Sequence, residues 1–258
     1  MNTDEYRRLF RNRIMDLYAE RNWVLGIWEG GSAATGFLDQ YSDLDLGFVV
    51  EDDKVEETFA LFESLLEEHY GIISRFRLPE PSWHGHSQCY YFVEKCPPLF
   101  YVDLLVEKKS SGDRLIEPDR HGKSRIWLNR ENVLNPVATP DEEMLRRNRR
   151  FFRIQADTYP ISETETRKQL IRGNGIDAML EYQGFIQRKL AALLNLKYRP
   201  AKYDFGIRYG ERDYPPDVAE KVRKLMYAGS MEDMKPMFQE ASEWARELLI
   251  ELGSKYSE

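Results

Sequence analysis

The chain has 258 residues, 42% hydrophobic and 13% aromatic, enough for one large core or two ordinary ones and too apolar for a disordered tail. No apolar run approaches the ~20 residues of a membrane-spanning helix. Met1 to Arg13 is polar, without a secretory apolar region, so a cytoplasmic protein with no membrane partner is expected. The net charge of −7 is unevenly spread: residues 1–140 hold 16 Lys and Arg against 24 Asp and Glu, residues 141–258 hold 21 against 20. Such an acidic first half repels a nucleic-acid backbone, so no nucleic-acid partner is expected, and it attracts metal ions and small cations.

In chain order, Tyr6, Phe10, Ile14, Leu17 and Tyr18 recur at helical spacing and predict a helix from about Asp4 to Arg21. Val24 to Trp28 reads as a buried strand stopped by Gly30-Gly31, and Leu44 to Val50 as a second. A helix from about Lys54 to His69 follows, with Val55, Phe59, Phe62 and Leu66 inward and a capping-box-like start at Asp53 and Glu56. Gln88 to Glu94 and Leu99 to Val106 read as strands joined by the turn Cys96-Pro97-Pro98. Cys89 and Cys96 are too few for a disulfide framework and are expected to be reduced.

From Pro140 the pattern becomes helical. One helix opens at Thr139-Pro140-Asp141-Glu142, with Thr or Asp as its cap. A second runs from about Ile176 to Asn195 with Ile176, Met179, Leu180, Ile186, Leu190 and Leu194 on one face. A third covers about Pro216 to Tyr227 and a last one Met231 to Gly253, while Tyr198 to Pro216 reads as a long connection. The expected architecture is an α/β (α+β) mixed-sheet domain over residues 1–138 followed by an all-α domain over residues 139–258.

The chemistry concentrates between Gly31 and Asp45. On a strand from Leu44, Asp43 and Asp45 leave one face while Leu44, Leu46, Phe48 and Val50 face the core. Two adjacent carboxylates repel unless a cation lies between them, and hard oxygen ligands on a rigid strand suit Mg²⁺. Upstream, Gly30-Gly31-Ser32 and the small residues after it let backbone N–H groups and a hydroxyl come close to an anion. Asp103, an acid inside the apolar run Phe100 to Val106, requires a partner and is a candidate third carboxylate. Gly31 and Gly36 have P-loop spacing, but Phe37-Leu38 stands where Lys-Ser/Thr is required. His84-Gly85-His86 lacks zinc-ligand spacing and reads as a mobile loop.

Gly31-Ser32, a gap of ten residues, Asp43-Leu44-Asp45-Leu46 and the later strand acid Asp103 together resemble the signature of the DNA polymerase beta-type nucleotidyltransferase superfamily. A helical half after a minimal catalytic domain is further similar to the bacterial aminoglycoside nucleotidyltransferases of the streptomycin and kanamycin type. The resemblance implies that Asp43, Asp45 and Asp103 are catalytic and hold divalent metal, two Mg²⁺ ions in the full pattern, and that Gly31 and Ser32 bind the nucleotide. It implies transfer of AMP from ATP, or another nucleoside monophosphate, to a hydroxyl of a small acceptor such as an aminoglycoside, with release of pyrophosphate. Asp103 would be the third ligand or the base, with Glu181 a possible stand-in for the base. The expected active site lies in a cleft between the domains. Arg188, Lys189 and the arginines from Arg146 to Arg153 are expected mainly on solvated helix faces. Competing readings are a protein-AMPylating enzyme of toxin–antitoxin type and a silent nucleotide-binding module.

Overall fold

The computed structural model describes residues 3–112 and 114–257, in two compact units, Met1–Ala138 and Thr139–Glu258. The first unit runs α1 (Thr3–Tyr18), β1 (Val24–Glu29), α2 (Gly31–Thr35), β2 (Leu44–Val50), α3 (Val55–His69), β3 (Ile72–Arg77), β4 (Ser87–Val93), β5 (Val102–Lys108), α4 (Pro118–His121) and β6 (Arg125–Asn129). The six strands form one sheet in the order β3-β4-β5-β2-β1-β6. Only the β2–β5 pair is parallel; the other neighbours are antiparallel.

The sheet is two-sided in chemistry because strand residues alternate. Leu44, Leu46, Phe48 and Val50 of β2 and Val102, Leu104 and Val106 of β5 join Tyr6, Phe10, Ile14 and Tyr18 of α1 and Phe59, Phe62 and Leu66 of α3 in the main core. Leu25, Trp28, Val49, Ile116 and Leu134 form a smaller cluster. The stripe expected on α1 is buried at Tyr6, Phe10, Ile14 and Tyr18. The expected capping box before α3 is absent: a 3-10 turn at Asp52–Lys54 leads into the helix, and Lys54 caps it without a side-chain bond. β3 and β6, at the two edges, carry too many exposed residues to show the alternation by which strands are read from sequence.

The second unit is helical: α5 (Asp141–Arg172), α6 (Gly175–Gly184), a π-helical turn at Phe185–Leu190, α7 (Ala191–Tyr198), α8 (Gly210–Asp213), α9 (Pro216–Met226) and α10 (Met231–Tyr256). Pro140, not Thr139 or Asp141, caps α5, again with no side-chain bond. The helix expected from Ile176 to Asn195 is interrupted by the π turn, and this corrects its buried face. Ala178, Tyr182, Phe185, Ile186 and Leu190 are buried, whereas Ile176 and Leu180 are exposed. A π turn closes i→i+5 rather than i→i+4, so a 3.6-residue stripe drawn through it loses phase. The connection from Tyr198 is ordered around a buried guanidinium. Arg199 Nη1 donates to the Arg208 carbonyl at 2.7 Å, Nη2 to the Gly206 carbonyl at 2.7 Å and Nε to Asn195 Oδ1 at 2.7 Å. Nη1 also meets Asp213 Oδ2 at 3.2 Å.

Candidate active site

The parallel register of β2 and β5 sets Asp45 directly beside Asp103. Both acids lie in phase opposite to the core residues of their strands, so they share the other sheet face. Among the described residues, neither carboxyl makes an ion pair. Burial, then Asp43 and Asp103, push Asp45 up to about 7, against a weaker downward pull from Arg7. Burial pushes Asp103 up to about 6, with Asp43 adding to the rise and a hydrogen bond from Gln88 opposing it. These are the shifts of carboxylates packed together without their counter-charge.

Gly31 lies against this pair. Its φ is +54°, and a Cβ there would stand 1.7 Å from Asp45 Oδ2, so any larger residue would collide with the carboxylate. The glycine-serine segment forms the one-turn helix α2 rather than an open loop. Ser32 Oγ is buried there with no hydrogen-bond partner among the described residues. The ten-residue gap then folds back through a turn in which Asp39 Oδ1 accepts from the Tyr41 N–H and the Ser42 hydroxyl.

Asp43 is set by contacts that sequence reasoning missed. Arg7 of α1 donates from Nη1 to the Ser42 carbonyl at 3.2 Å and the Asp43 carbonyl at 2.5 Å. The same guanidinium is buried against Glu29, with Nε 3.0 Å from Oε1. Burial, and then the neighbouring Asp43, push the Tyr101 hydroxyl up. Trp28 lies over Gly47, where a Cβ would be 2.0 Å from the indole, so glycine in mid-strand makes room for the ring. Asp45, Asp103, Trp28, Gly47, His84 and Gln88 together line a cavity of about 180 Å³. His84 thus belongs to the site, although its loop reads from sequence as a bystander. No local pattern marks Gln88 or His84, because their relevance arises only when β4 pairs with β5.

Among the described residues, no group of three or more His, Cys, Asp or Glu side chains could hold a metal ion as it stands. The donor set is instead the registered pair Asp45 and Asp103, with Asp43 near enough to raise both. That set fits Mg²⁺, which takes one or two protein carboxylates and completes its shell with phosphate oxygens and water.

In the second unit, Glu181, Arg188 and Lys189 line one cavity of about 600 Å³, with Phe151, Tyr203 and Asp204. The half-buried Lys189 donates to Gln155 Oε1 at 3.1 Å and to Thr158 Oγ1. Arg146 and Arg147 pair with Glu143 on the surface of α5.

Residues 11–98 match the family described as the nucleotidyltransferase domain. The match includes Gly31, Ser32, Asp43 and Asp45 and ends before Asp103. No curated protein matches the chain in sequence. Among solved structures, this nucleotidyltransferase is similar to a nucleotidyltransferase-like protein from Exiguobacterium sibiricum 255-15, at 16% identity over 95% of this chain and 76% of that one, with a TM-score of 0.40. It is similar to spectinomycin adenyltransferase AAD(9) from Enterococcus faecialis, at 11% identity over 96% and 98% of the two chains, with a TM-score of 0.37. An aminoglycoside 6-adenyltransferase from Bacillus subtilis is 12% identical over 93% and 89%, with a TM-score of 0.33. Likeness this distant leaves the acceptor to be argued from the residues themselves. No helix of the described residues is long and apolar enough to cross a membrane.

Proposed function

We propose that this nucleotidyltransferase moves AMP from ATP to a hydroxyl of a small molecule and releases pyrophosphate. The observation that carries the reading is the in-register pair Asp45 and Asp103, packed against the Cβ-free backbone of Gly31. Asp43, Asp45 and Asp103 would hold Mg²⁺, which when bound offsets the charge of the triphosphate and of the oxygens entering and leaving the α-phosphorus. Gly31 lets the phosphates approach the backbone, and the unpartnered Ser32 hydroxyl donates to a phosphate oxygen. Asp103 serves as a ligand or takes the acceptor proton.

A small acceptor is supported by the cavity of about 600 Å³ in the helical unit, within the usual range for small-molecule sites. The π-helical turn lines it through Gln187, Arg188 and Lys189, and such turns recur at functional sites. Its lining balances two acids, Glu181 and Asp204, against two bases, Arg188 and Lys189, so a cationic, hydroxyl-bearing acceptor of the aminoglycoside kind is favoured by the acidic composition of residues 1–140 alone.

The test is pyrophosphate release with Mg²⁺, each of the four nucleoside triphosphates and a panel of hydroxyl-bearing acceptors. ATP with a cationic acceptor is expected to give the highest rate. Asp43→Asn and Asp45→Asn are each expected to lower it by at least about a hundredfold, the kinetic equivalent of the several kcal/mol a bound metal contributes. Release with no nucleotide and acceptor pair, or wild-type rates in both variants, would sink the reading.

A further inference from the structure

We infer that Gln88 and His84 are positioning residues that aim the Asp103 carboxylate at the metal, through a directional hydrogen-bond chain running from the loop before β4. This rests on the metal reading of Asp43, Asp45 and Asp103 given above.

The direction of the chain follows from its first link. The backbone N–H of His86 points at His84 Nδ1 at 3.1 Å, and an amide N–H can only donate. Nδ1 is therefore the acceptor, and the ring proton sits on Nε2. Nε2 lies 2.9 Å from Gln88 Oε1 and donates to it. That contact settles which end of the Gln88 amide is oxygen, leaving Nε2 of Gln88 to donate to Asp103 Oδ1 at 2.7 Å. Each link fixes the next, and the last one takes Oδ1 of Asp103. The other carboxylate oxygen has no hydrogen-bond partner among the described residues and stays available to an ion.

The strands do not need this chain to stay together. β4 and β5 are joined by their own ladder, with Ser87 opposite Val106, Cys89 opposite Leu104 and Tyr91 opposite Val102. Cys89 and Tyr91 hold β4 in the main core. Gln88 leaves the opposite face, into the cavity that holds Asp45 and Asp103. A glutamine placed there contributes little to the fold and a fixed donor to the site. Metal ligands are routinely oriented by such outer partners, whose loss costs about 10–100-fold in metal affinity or activity.

The experiment titrates metal-stripped full-length protein with Mn²⁺ alone, followed by electron paramagnetic resonance, beside a thermal melt of each variant. Gln88→Leu and His84→Leu are expected to weaken Mn²⁺ binding by about tenfold or more, with melting temperatures close to wild type. His84→Gln, whose amide nitrogen stands near the place of Nε2, is expected to recover most of the affinity. In turnover, the Mg²⁺ activation constant should rise for Gln88→Leu while the KM for acceptor holds. Wild-type Mn²⁺ affinity in Gln88→Leu would overturn the inference, as would a loss matched by a lowered melting temperature and not rescued by His84→Gln. A wild-type protein that binds no Mn²⁺ at all would instead overturn the metal reading on which it rests.

Discussion

Two aspartate environments in this protein solve the burial of a carboxylate in opposite ways. In the helical unit, burial pushes Asp213 up, but Arg212 and Lys202 outweigh it and hold the carboxyl down at about 2. Arg199, itself buried, reaches the same carboxylate at 3.2 Å. In the sheet, burial and then neighbouring carboxylates push Asp45 and Asp103 up to about 7 and 6. The first site is complete and serves stability, because each charge has a partner within the chain. The second is incomplete by design of its neighbours, and incompleteness of that kind marks a place where counter-charge comes from outside.

The contrast can be broken most severely at Arg199. Arg199→Ala removes one donor each from Asn195, Asp213 and the Arg208 and Gly206 carbonyls and empties a buried site, at an expected cost of about 3–5 kcal/mol in denaturant unfolding. Mn²⁺ binding by the folded fraction should be unchanged, since the guanidinium touches only the helical unit.

Asp45→Asn should act with the opposite sign. Because the Asp45 carboxyl titrates near 7 rather than at its ordinary 3.8, the metal-free fold binds more protons than the unfolded chain between those values. Wild-type stability is therefore fullest below about pH 4 and falls as pH rises through about 7. Asp45→Asn is expected to flatten that slope and to stabilise the metal-free protein at pH 8, by about 4 kcal/mol at most. Melting temperatures measured across pH 4–8 in chelator check this; a variant less stable than wild type at pH 8 would contradict it.

Asp213→Asn gives the smallest effect. With its carboxyl held at about 2, Asp213 stabilises the fold above about pH 4, and that stability is lost as pH falls toward 2. The substitution is expected to cost about 1–2 kcal/mol at pH 7 and nothing at pH 2, the gain being partly screened by solvent. Equal losses at both pH values would show that Asp213 matters through packing and not through charge.

Much of the fold could be read from periodicity. The stripe of Tyr6, Phe10, Ile14 and Tyr18, and the alternation of Leu44, Leu46, Phe48 and Val50, each lie within a single element and need no partner to be recognised. The exposed edge strands β3 and β6 and the π turn at Phe185–Leu190 escape the same reading, because in them the period is masked or shifted. The candidate site divides along the same line. Gly31, Ser32, Asp43 and Asp45 are close in sequence and carry their spacing with them. Arg7, Tyr101, Gln88 and His84 come from elsewhere in the chain and have no spacing to show.

By itself, then, the sequence determined that Asp45 leaves one face of a strand whose other face is core, since side-chain alternation is a property of one strand; Asp43 lies just before that strand. Only the tertiary structure decided that Asp103 stands beside Asp45, that a Gly31 Cβ would collide with Asp45 Oδ2, and that Gln88 donates to Asp103. Those facts depend on register between strands distant in the chain, and register is set by how the whole sheet packs on its core.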